Sequence, residues 1–180
     1  MSDYSDKKHG LIFLGIDPGS TRAGYGIVRK DGNAFSYVAC GILSTSFKDK
    51  NDLLTELYSS IQLLIKKYKP SAAGIEKLFF VKNMKTGLEV AQSRGVVILS
   101  LRQHNIPVYE YTPKEIKQWL TGSGVADKKA MIRLVRSSLV MPGDIKEPDD
   151  AYDALAIALI TGYTSVRGDL VVATQPLQKQ

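Results

Sequence analysis

The sequence predicts an α/β domain with a mixed sheet, in which three antiparallel strands are followed by parallel strands and helices flank both faces. Two observations predict this class. The first quarter of the chain contains strand-like apolar segments separated by turn-forming residues. The remainder alternates apolar residues at helical spacing with short apolar segments. Right-handed crossovers between the later strands would place those strands parallel to the first.

Three strands are predicted near the start of the chain, over Leu11–Ile16, Gly24–Arg29 and Ala34–Ser44. A Pro-Gly-Ser-Thr turn at residues 18–21 joins the first two, and the Asp-Gly-Asn sequence at residues 31–33 is a hairpin signal. Side chains alternate along a strand, so one side of the third strand is expected to carry Phe35, Tyr37, Ala39 and Gly41.

Two helices and two strands are predicted next. Apolar residues recur at helical spacing from Leu53 to Tyr68, with Asn51 or Asp52 as the N-cap and Pro70 as the stop. The following strand, helix and strand are expected at residues 72–76, 83–103 and 107–111.

Three more helices complete the predicted domain. The sequence TPKE at residues 112–115 is a capping-box pattern with proline at the first helical position. Asp127 is expected to cap a helix that runs through Leu139, and the last helix is expected from Asp150 to Tyr163.

Length and composition suit a single domain. The chain has 180 residues, of which 44% are hydrophobic and 23% charged, and its formal charge of +6 favours polyanionic partners such as nucleic acid. No apolar run approaches the ~20 residues of a membrane span, so we expect a cytoplasmic protein. The single cysteine, Cys40, is expected in the core. We predict one domain at residues 11–165, with a disordered start at 1–10 and a flexible tail at 166–180.

Four carboxylates stand where apolar segments begin or end. Asp17 and Glu76 each end a predicted strand, and parallel neighbours would bring both to the same sheet edge. Asp150 and Asp153 lie three residues apart at the start of an apolar helix, on one face of its first turn. Helix capping would account for Asp150 together with its neighbour Asp149. It would not account for Asp153, whose apolar surroundings require a partner for the charge.

Four carboxylates in one cleft would repel one another strongly unless a divalent cation neutralised them. Near Asp17 in the sequence, only Arg22 offers a positive charge. An all-oxygen ligand set favours Mg²⁺ or Mn²⁺ over zinc. Two such ions are a common device for hydrolysing a phosphodiester. The residues alone therefore favour a metal-dependent nuclease.

Six segments in this order extend the prediction: GIDPGSTRAGYG, GIEKLFFVKN, AQSRGV, VYEYTPKEIKQ, GSGVADKK and DDAYDALAIA. Across residues 11–165 they resemble the RuvC-type Holliday junction resolvases. The resemblance implies a ribonuclease-H-like fold, a homodimer with two active sites, and paired symmetric nicks in a four-way DNA junction. It also implies two Mg²⁺ ions per subunit, with Mn²⁺ able to substitute, and leaves room for branch-migration partners of the RuvA and RuvB type.

The resemblance assigns roles to particular residues. The catalytic, metal-binding acids would be Asp17, Glu76, Asp150 and Asp153. Phe79 would stack on a base at the junction centre, and Lys82 would meet the DNA backbone. Lys117 and Lys128 would lie beside the metals and contact the scissile phosphate. Arg94 would order the fold or the dimer.

Two departures and three alternatives accompany this interpretation. Ala130 replaces a glutamine usual in the family, and Tyr152 replaces a small residue, which leaves local DNA contacts and sequence preference open. An actin-like ATPase or kinase would need a longer chain. A second alternative is a junction-binding module without catalytic activity, which would be expected to lack one of the four acids. A third is a related nuclease that acts on RNA or duplex DNA.

The helix at 83–103 is the candidate dimer interface, through small residues at Ala91, Ser93 and Gly95.

Overall fold

The computed structural model describes residues 10–20, 22–44, 50–78, 84–141, 143 and 145–167. The five strands are β1 (Leu11–Pro18), β2 (Arg22–Asp31), β3 (Ala34–Ser44), β4 (Ala72–Glu76) and β5 (Val108–Tyr111). The five helices are α1 (Lys50–Tyr68), α2 (Met84–Gln103), α3 (Pro113–Thr121), α4 (Lys128–Ser138) and α5 (Asp149–Arg167).

The strands form one mixed sheet in the order β3-β2-β1-β4-β5. The pairs β1–β2 and β2–β3 are antiparallel, whereas β1–β4 and β4–β5 are parallel. The predicted fold class is therefore confirmed. Because β1 and β4 run side by side in the same direction, their carboxyl ends, with Asp17 and Glu76, lie at the same edge of the sheet.

Each face of the sheet carries its own apolar cluster. Helix α5 packs across β1, β2 and β4 on one face, whereas α2 contacts β1 on the other face and packs against α1. Two glycines let α5 lie directly on the strands. A Cβ atom at Gly15 would stand 2.0 Å from the carbonyl oxygen of Ala154, and one at Gly24 would stand 2.1 Å from that of Asp150. The missing side chain at Gly24 therefore lets the first turn of α5 lie against β2, at the residue that pairs with Asp17.

The predicted alternation along β3 is wrong in its second half. Phe35 and Tyr37 face the α5 cluster, whereas Ala39 belongs to the cluster on the opposite face. The register between β2 and β3 shifts here, so that Tyr37 and Ala39 pair with consecutive residues of β2 and Val38 is the extra residue of a β-bulge. One extra residue moves every later side chain to the other face. Cys40 is buried, as predicted.

Helix ends agree with the sequence prediction except at α5, which ends at Arg167 and not at Tyr163, and at α1, which begins at Lys50. Asn51 and Asp52 therefore lie inside its first turn and neither is its N-cap. The predicted capping box at Thr112 is confirmed, since Glu115 and Thr112 each accept a backbone hydrogen bond from the other. Asp127 caps α4 as predicted, accepting a 2.7 Å hydrogen bond from the backbone N–H of Ala130.

The chain ends lie mostly outside the described residues. Residues 1–9 and 168–180 are not described, so the predicted disordered start and flexible tail stay predictions. Helix α5 continues to Arg167, past the predicted domain boundary. Among the helices of the described residues, none has the length and apolar character needed to cross a membrane.

Candidate active site

Three carboxylates meet at the carboxyl edge of the sheet. One side-chain oxygen each from Asp17, Asp150 and Asp153 lies within 4.8 Å of the other two. Asp17 comes from the end of β1, and the other two project from the first five residues of α5. The three-residue spacing on α5 places both of its carboxylates on the side that faces β1. A group of oxygens this close together has the donor set that a hard divalent cation prefers.

Burial and crowding both disfavour the charge on Asp17. They raise the pKa of its carboxyl from 3.8 to about 7, with burial as the largest cause and the charges of Asp153 and Asp150 next. The positive charge of Lys128 opposes this shift. Without a cation, Asp17 therefore holds a proton up to nearly neutral pH. A divalent cation bound there would release that proton.

Glu76 lies beside this group, at the end of β4. Burial first, then the charges of Asp17 and Asp153, raise the pKa of Glu76 to about 7, and Lys117 opposes them. Glu76 and Asp153 line a cleft of about 230 Å³ together with Lys117 and Lys128. All four predicted acids thus lie at one edge of the sheet. Three form a tight group and Glu76 faces it from the β4 side.

Lys128 forms ion pairs with two acids at the start of α5. Its Nζ lies 3.1 Å from Oδ2 of Asp153 and 3.5 Å from Oδ2 of Asp149. Burial raises the pKa of Asp153, and Lys128 partly offsets that increase. The lysine stands at the first position of α4, directly after the capping Asp127, so the helix start fixes where its side chain begins.

Arg22, at the start of β2, neutralises part of the charge on the β2 side of the acids. Its Nε lies 2.7 Å from Oδ2 of Asp150. Lys128 pairs with Asp153 in the same way, so the described residues provide a cationic partner for Asp150 and for Asp153. Repulsion among the four carboxylates is therefore a weaker argument for a bound divalent cation than the sequence alone suggested. The pKa values of Asp17 and Glu76 are still raised, by burial first and by the charges of the neighbouring acids second.

Arg94 supports the end of β4 from α2. Its Nη2 lies 2.6 Å from Oε2 of Glu110 on β5, and its Nε donates a 3.4 Å hydrogen bond to the backbone carbonyl of Glu76. This placement agrees with the predicted role in ordering the fold. Glu110 was not singled out from the sequence, although a carboxylate between the buried residues Tyr109 and Tyr111 is a signal for a paired charge.

The two departures from the family pattern leave the carboxylates in place. Tyr152 is buried on the α4 side of α5, where its hydroxyl donates to the backbone carbonyl of Ile145 and accepts from Arg136. It therefore anchors the segment that leads into the acidic turn. Ala130 is half-buried, and its backbone N–H completes the cap of α4.

The predictions for Phe79 and Lys82 stay untested, and the prediction for α2 is met only in part. Phe79 and Lys82 lie outside the described residues. On α2, Ser93 is buried within the chain and so cannot belong to an exposed interface, whereas Gly95 is exposed and a Cβ there would meet nothing within 4 Å. Ser93 was chosen for its size, but small residues also serve where a helix packs against its own domain.

Comparisons with known proteins agree on one family. Residues 13–161 match the family model for crossover junction endodeoxyribonuclease RuvC. The chain is 47% identical over 153 residues to the protein of that name from Roseiflexus sp. (strain RS-1), covering 84% of this chain and 90% of that one. It is 44% identical to the protein of that name from Chloroflexus aggregans, with coverages of 84% and 93%.

Solved structures agree with the sequence matches. The fold is similar to T. thermophilus RuvC in complex with Holliday junction substrate, with a TM-score of 0.81 and 27% identity over 88% of this chain and 97% of that chain. The yeast mitochondrial Holliday junction resolvase Ydc2 shares the fold, with a TM-score of 0.64 and 15% identity over 92% of this chain and 82% of that chain.

Proposed function

The chain belongs to the RuvC family of crossover junction endodeoxyribonucleases, and from that premise we propose that it resolves four-way DNA junctions in recombination and repair. The observation that carries this function is the group of Asp17, Asp150 and Asp153 at the sheet edge, with Glu76 beside it. The chain is a nuclease, and its substrate is the Holliday junction. We propose that it makes paired, symmetric nicks.

The acidic group suits a divalent cation. We propose that Asp17, Glu76, Asp150 and Asp153 hold two Mg²⁺ ions per subunit, with Mn²⁺ able to substitute. When bound, such a pair supplies an activated water and stabilises charge on the leaving oxygen. The raised pKa values of Asp17 and Glu76 support this assignment, since carboxylates crowded in a buried position gain most from a cation.

The basic residues near the acids would hold the DNA. Lys117 and Lys128 line the cleft beside Glu76 and Asp153, where an ammonium group can bind the scissile phosphate and stabilise its charge in the transition state. Phe79 and Lys82 follow Glu76 closely in the sequence. We propose that Phe79 stacks on a base at the junction centre and that Lys82 contacts the backbone.

Two symmetric nicks need two active sites, so the proposed unit is a homodimer. Helix α2 exposes Leu88, Gln92, Gly95 and Leu99 at helical spacing. Two exposed leucines on one helix face, with a glycine between them, allow close approach of a second copy. Sedimentation of the chain alone and on junction DNA measures this assembly. We further propose a cytoplasmic location and branch-migration partners of the RuvA and RuvB type.

The central experiment compares Asp153→Asn with Asp31→Asn on a synthetic four-way junction in Mg²⁺. Asp31 is a matched control, because it also pairs with a cation but lies at the far end of β2. Loss of a metal ligand should remove several kcal/mol of transition-state stabilisation and slow nicking by roughly a thousandfold. The control should cut normally, and both variants should bind the junction, because phosphate contacts supply most of the affinity.

Two results would contradict the proposal. One is nicking by the Asp153→Asn protein at the wild-type rate, and the other is nicking by the wild type in EDTA. Duplex DNA and an RNA–DNA hybrid serve as competing substrates, and equal cutting of either one would reject the structure-specific function.

A further inference from the structure

The acids separate two clefts that share no lining residue. The cleft on the β4 side is lined by Lys117 and Lys128 with Glu76 and Asp153. A second cavity, of about 180 Å³, lies on the β2 side and is lined by Asp17, Gly19, Ser20, Arg22 and Asp150. The proposed function gives the first cleft a role in binding DNA and leaves the second without one.

A DNA strand needs favourable contacts on both sides of the acids. Every nucleotide carries a phosphate, so a strand whose scissile phosphate lies over the carboxylates extends its neighbouring phosphates to either side. The two lysines cover the β4 side. On the β2 side, Asp17 and Asp150 would repel a phosphate unless a cation stood beside them. Arg22 is the cation that lines this cavity.

Arg22 has the chemistry for this task. It is the first residue of β2, and its side chain is 56% exposed while its Nε lies 2.7 Å from Asp150. A guanidinium has five N–H donors, and one carboxylate can occupy at most two of them in the paired arrangement. The remaining donors can bind a phosphate oxygen while Asp150 holds the group in place.

Gly19 helps to keep the cavity open, because it has no side chain. A Cβ atom at Gly19 would lie 2.3 Å from the backbone carbonyl of Arg22, so the turn is too tight for a side chain there. Ser20 adds a hydroxyl to the lining. The guanidinium of Arg22 and the hydroxyl of Ser20 therefore offer donors for a tetrahedral oxyanion, beside the carboxylates of Asp17 and Asp150.

We propose that this cavity binds a DNA phosphate next to the scissile one, with the guanidinium of Arg22 as its ligand and Asp150 as the residue that orients the guanidinium. The inference rests on the proposed function, since it assumes that a DNA strand crosses the acids. It adds a phosphate-binding site on the β2 side to the lysine site on the β4 side.

The same strand provides a matched control. Arg29 makes an equivalent contact, with its Nε 2.8 Å from Oδ2 of Asp31, and its side chain is 51% exposed. This pair lies at the other end of β2, away from the acids. Arg29→Gln therefore removes the same charge and the same kind of ion pair without touching the cavity.

The first experiment measures the salt dependence of binding to uncut DNA in EDTA, for the wild type and for Arg22→Gln, Arg22→Lys and Arg29→Gln. Each lost phosphate contact should make the slope of log affinity against log salt shallower by about 0.9, so a dimer should lose roughly 2. Arg22→Lys should keep most of the slope, and Arg29→Gln should match the wild type. A wild-type slope for Arg22→Gln, an equal loss in Arg29→Gln, or no rescue by lysine would overturn the proposal.

A second experiment locates the phosphate. Junctions are made with a neutral methylphosphonate at the phosphate on one side or the other of the cleavage point. The wild type should lose affinity at one of these positions, and Arg22→Gln should be insensitive there, because the contact is already gone. Equal sensitivity of both proteins at both positions would place Arg22 elsewhere on the DNA and overturn the assignment.

These outcomes are separable from failure of the proposed function. Absence of any preference for the junction over duplex in all four proteins would reject junction resolution. The slopes would still report on Arg22, because phosphate contacts are made to duplex DNA as well.

Discussion

The two halves of α5 are built for opposite purposes. Its first five residues include Asp149, which is exposed, and Asp150 and Asp153, which are half-buried and lie close to Asp17. From Ala154 to Ile160 every residue is apolar and buried against the sheet. The comparison shows how one helix can both carry a charged site and hold it in place. The buried half packs on the sheet and fixes the position of the helix. The carboxylates at its start are thereby held at a fixed position relative to β1.

The two halves also contribute to stability with opposite signs. Burial of the apolar half stabilises the fold. The charges of Asp17 and Asp153 destabilise it at neutral pH without a cation, because burial and the neighbouring acids disfavour them. The packed core therefore holds together carboxylates that would otherwise move apart. Preorganised sites depend on a rigid scaffold in this way.

The largest effect is expected from breaking the apolar half. Leu159 is fully buried, so Leu159→Ala should lower the free energy of unfolding by about 2 to 5 kcal/mol through lost burial and a residual cavity. Urea denaturation measures this change. Leu63→Ala on α1 is the matched control, since Leu63 is 67% exposed and its loss should change stability by less than about 0.5 kcal/mol. Equal effects of the two substitutions would contradict the assigned burial.

Prediction from sequence succeeded where a local pattern determines structure. Strand ends fixed the positions of Asp17 and Glu76, and the three-residue spacing put Asp150 and Asp153 on one helix face. The capping residues Thr112 and Asp127 act within their own turn, so a short sequence was enough to find them.

Prediction failed where the answer depends on distant parts of the chain. The bulge at Val38 depends on how β3 pairs with β2, which no pattern within β3 reveals. The pair formed by Arg94 and Glu110 joins two elements, as does the contact of Arg22 with Asp150. Such pairs depend on the tertiary arrangement, so the sequence offered only the charges and not their partners.

A smaller effect is expected from removing the charge of the site. The pKa of Asp17 is raised from 3.8 to about 7, so the folded state binds a proton that the unfolded state releases at lower pH. The stability of the metal-free protein should therefore fall as pH rises between these values and level off above about 7. In EDTA, the melting temperature of the wild type should be several degrees lower at about pH 8 than at about pH 5.

Asp17→Asn tests whether Asp17 causes this pH dependence, because asparagine cannot ionise. In EDTA at about pH 8 the variant should be more stable than the wild type, and its melting temperature should depend less on pH. Adding Mg²⁺ should raise the melting temperature of the wild type more than that of the variant. Asp31→Asn, at an exposed pair, should show neither effect. Lower stability of Asp17→Asn than of the wild type at pH 8 would show that its carboxylate is stabilising without a metal.

The smallest effect is expected at α4, the helix that carries Lys128. Fewer of its described residues are buried than in α5, the helix that carries Asp150 and Asp153. Helix α4 buries only Met131 and Val135 among its described residues, so its N-cap contributes a larger share of its stability. Asp127→Ala removes the acceptor for the backbone N–H of Ala130 and should lower the free energy of unfolding by about 0.5 to 2 kcal/mol. Asp127→Asn should keep the wild-type stability, because asparagine caps a helix as well as aspartate does.

The nicking rate should depend on whether residue 127 can cap the helix and not on its charge. The alanine variant should nick a few fold more slowly, because the first turn that carries Lys128 frays. The asparagine variant should nick at near the wild-type rate. Slow nicking by both variants at wild-type stability would instead assign the effect to the charge of Asp127.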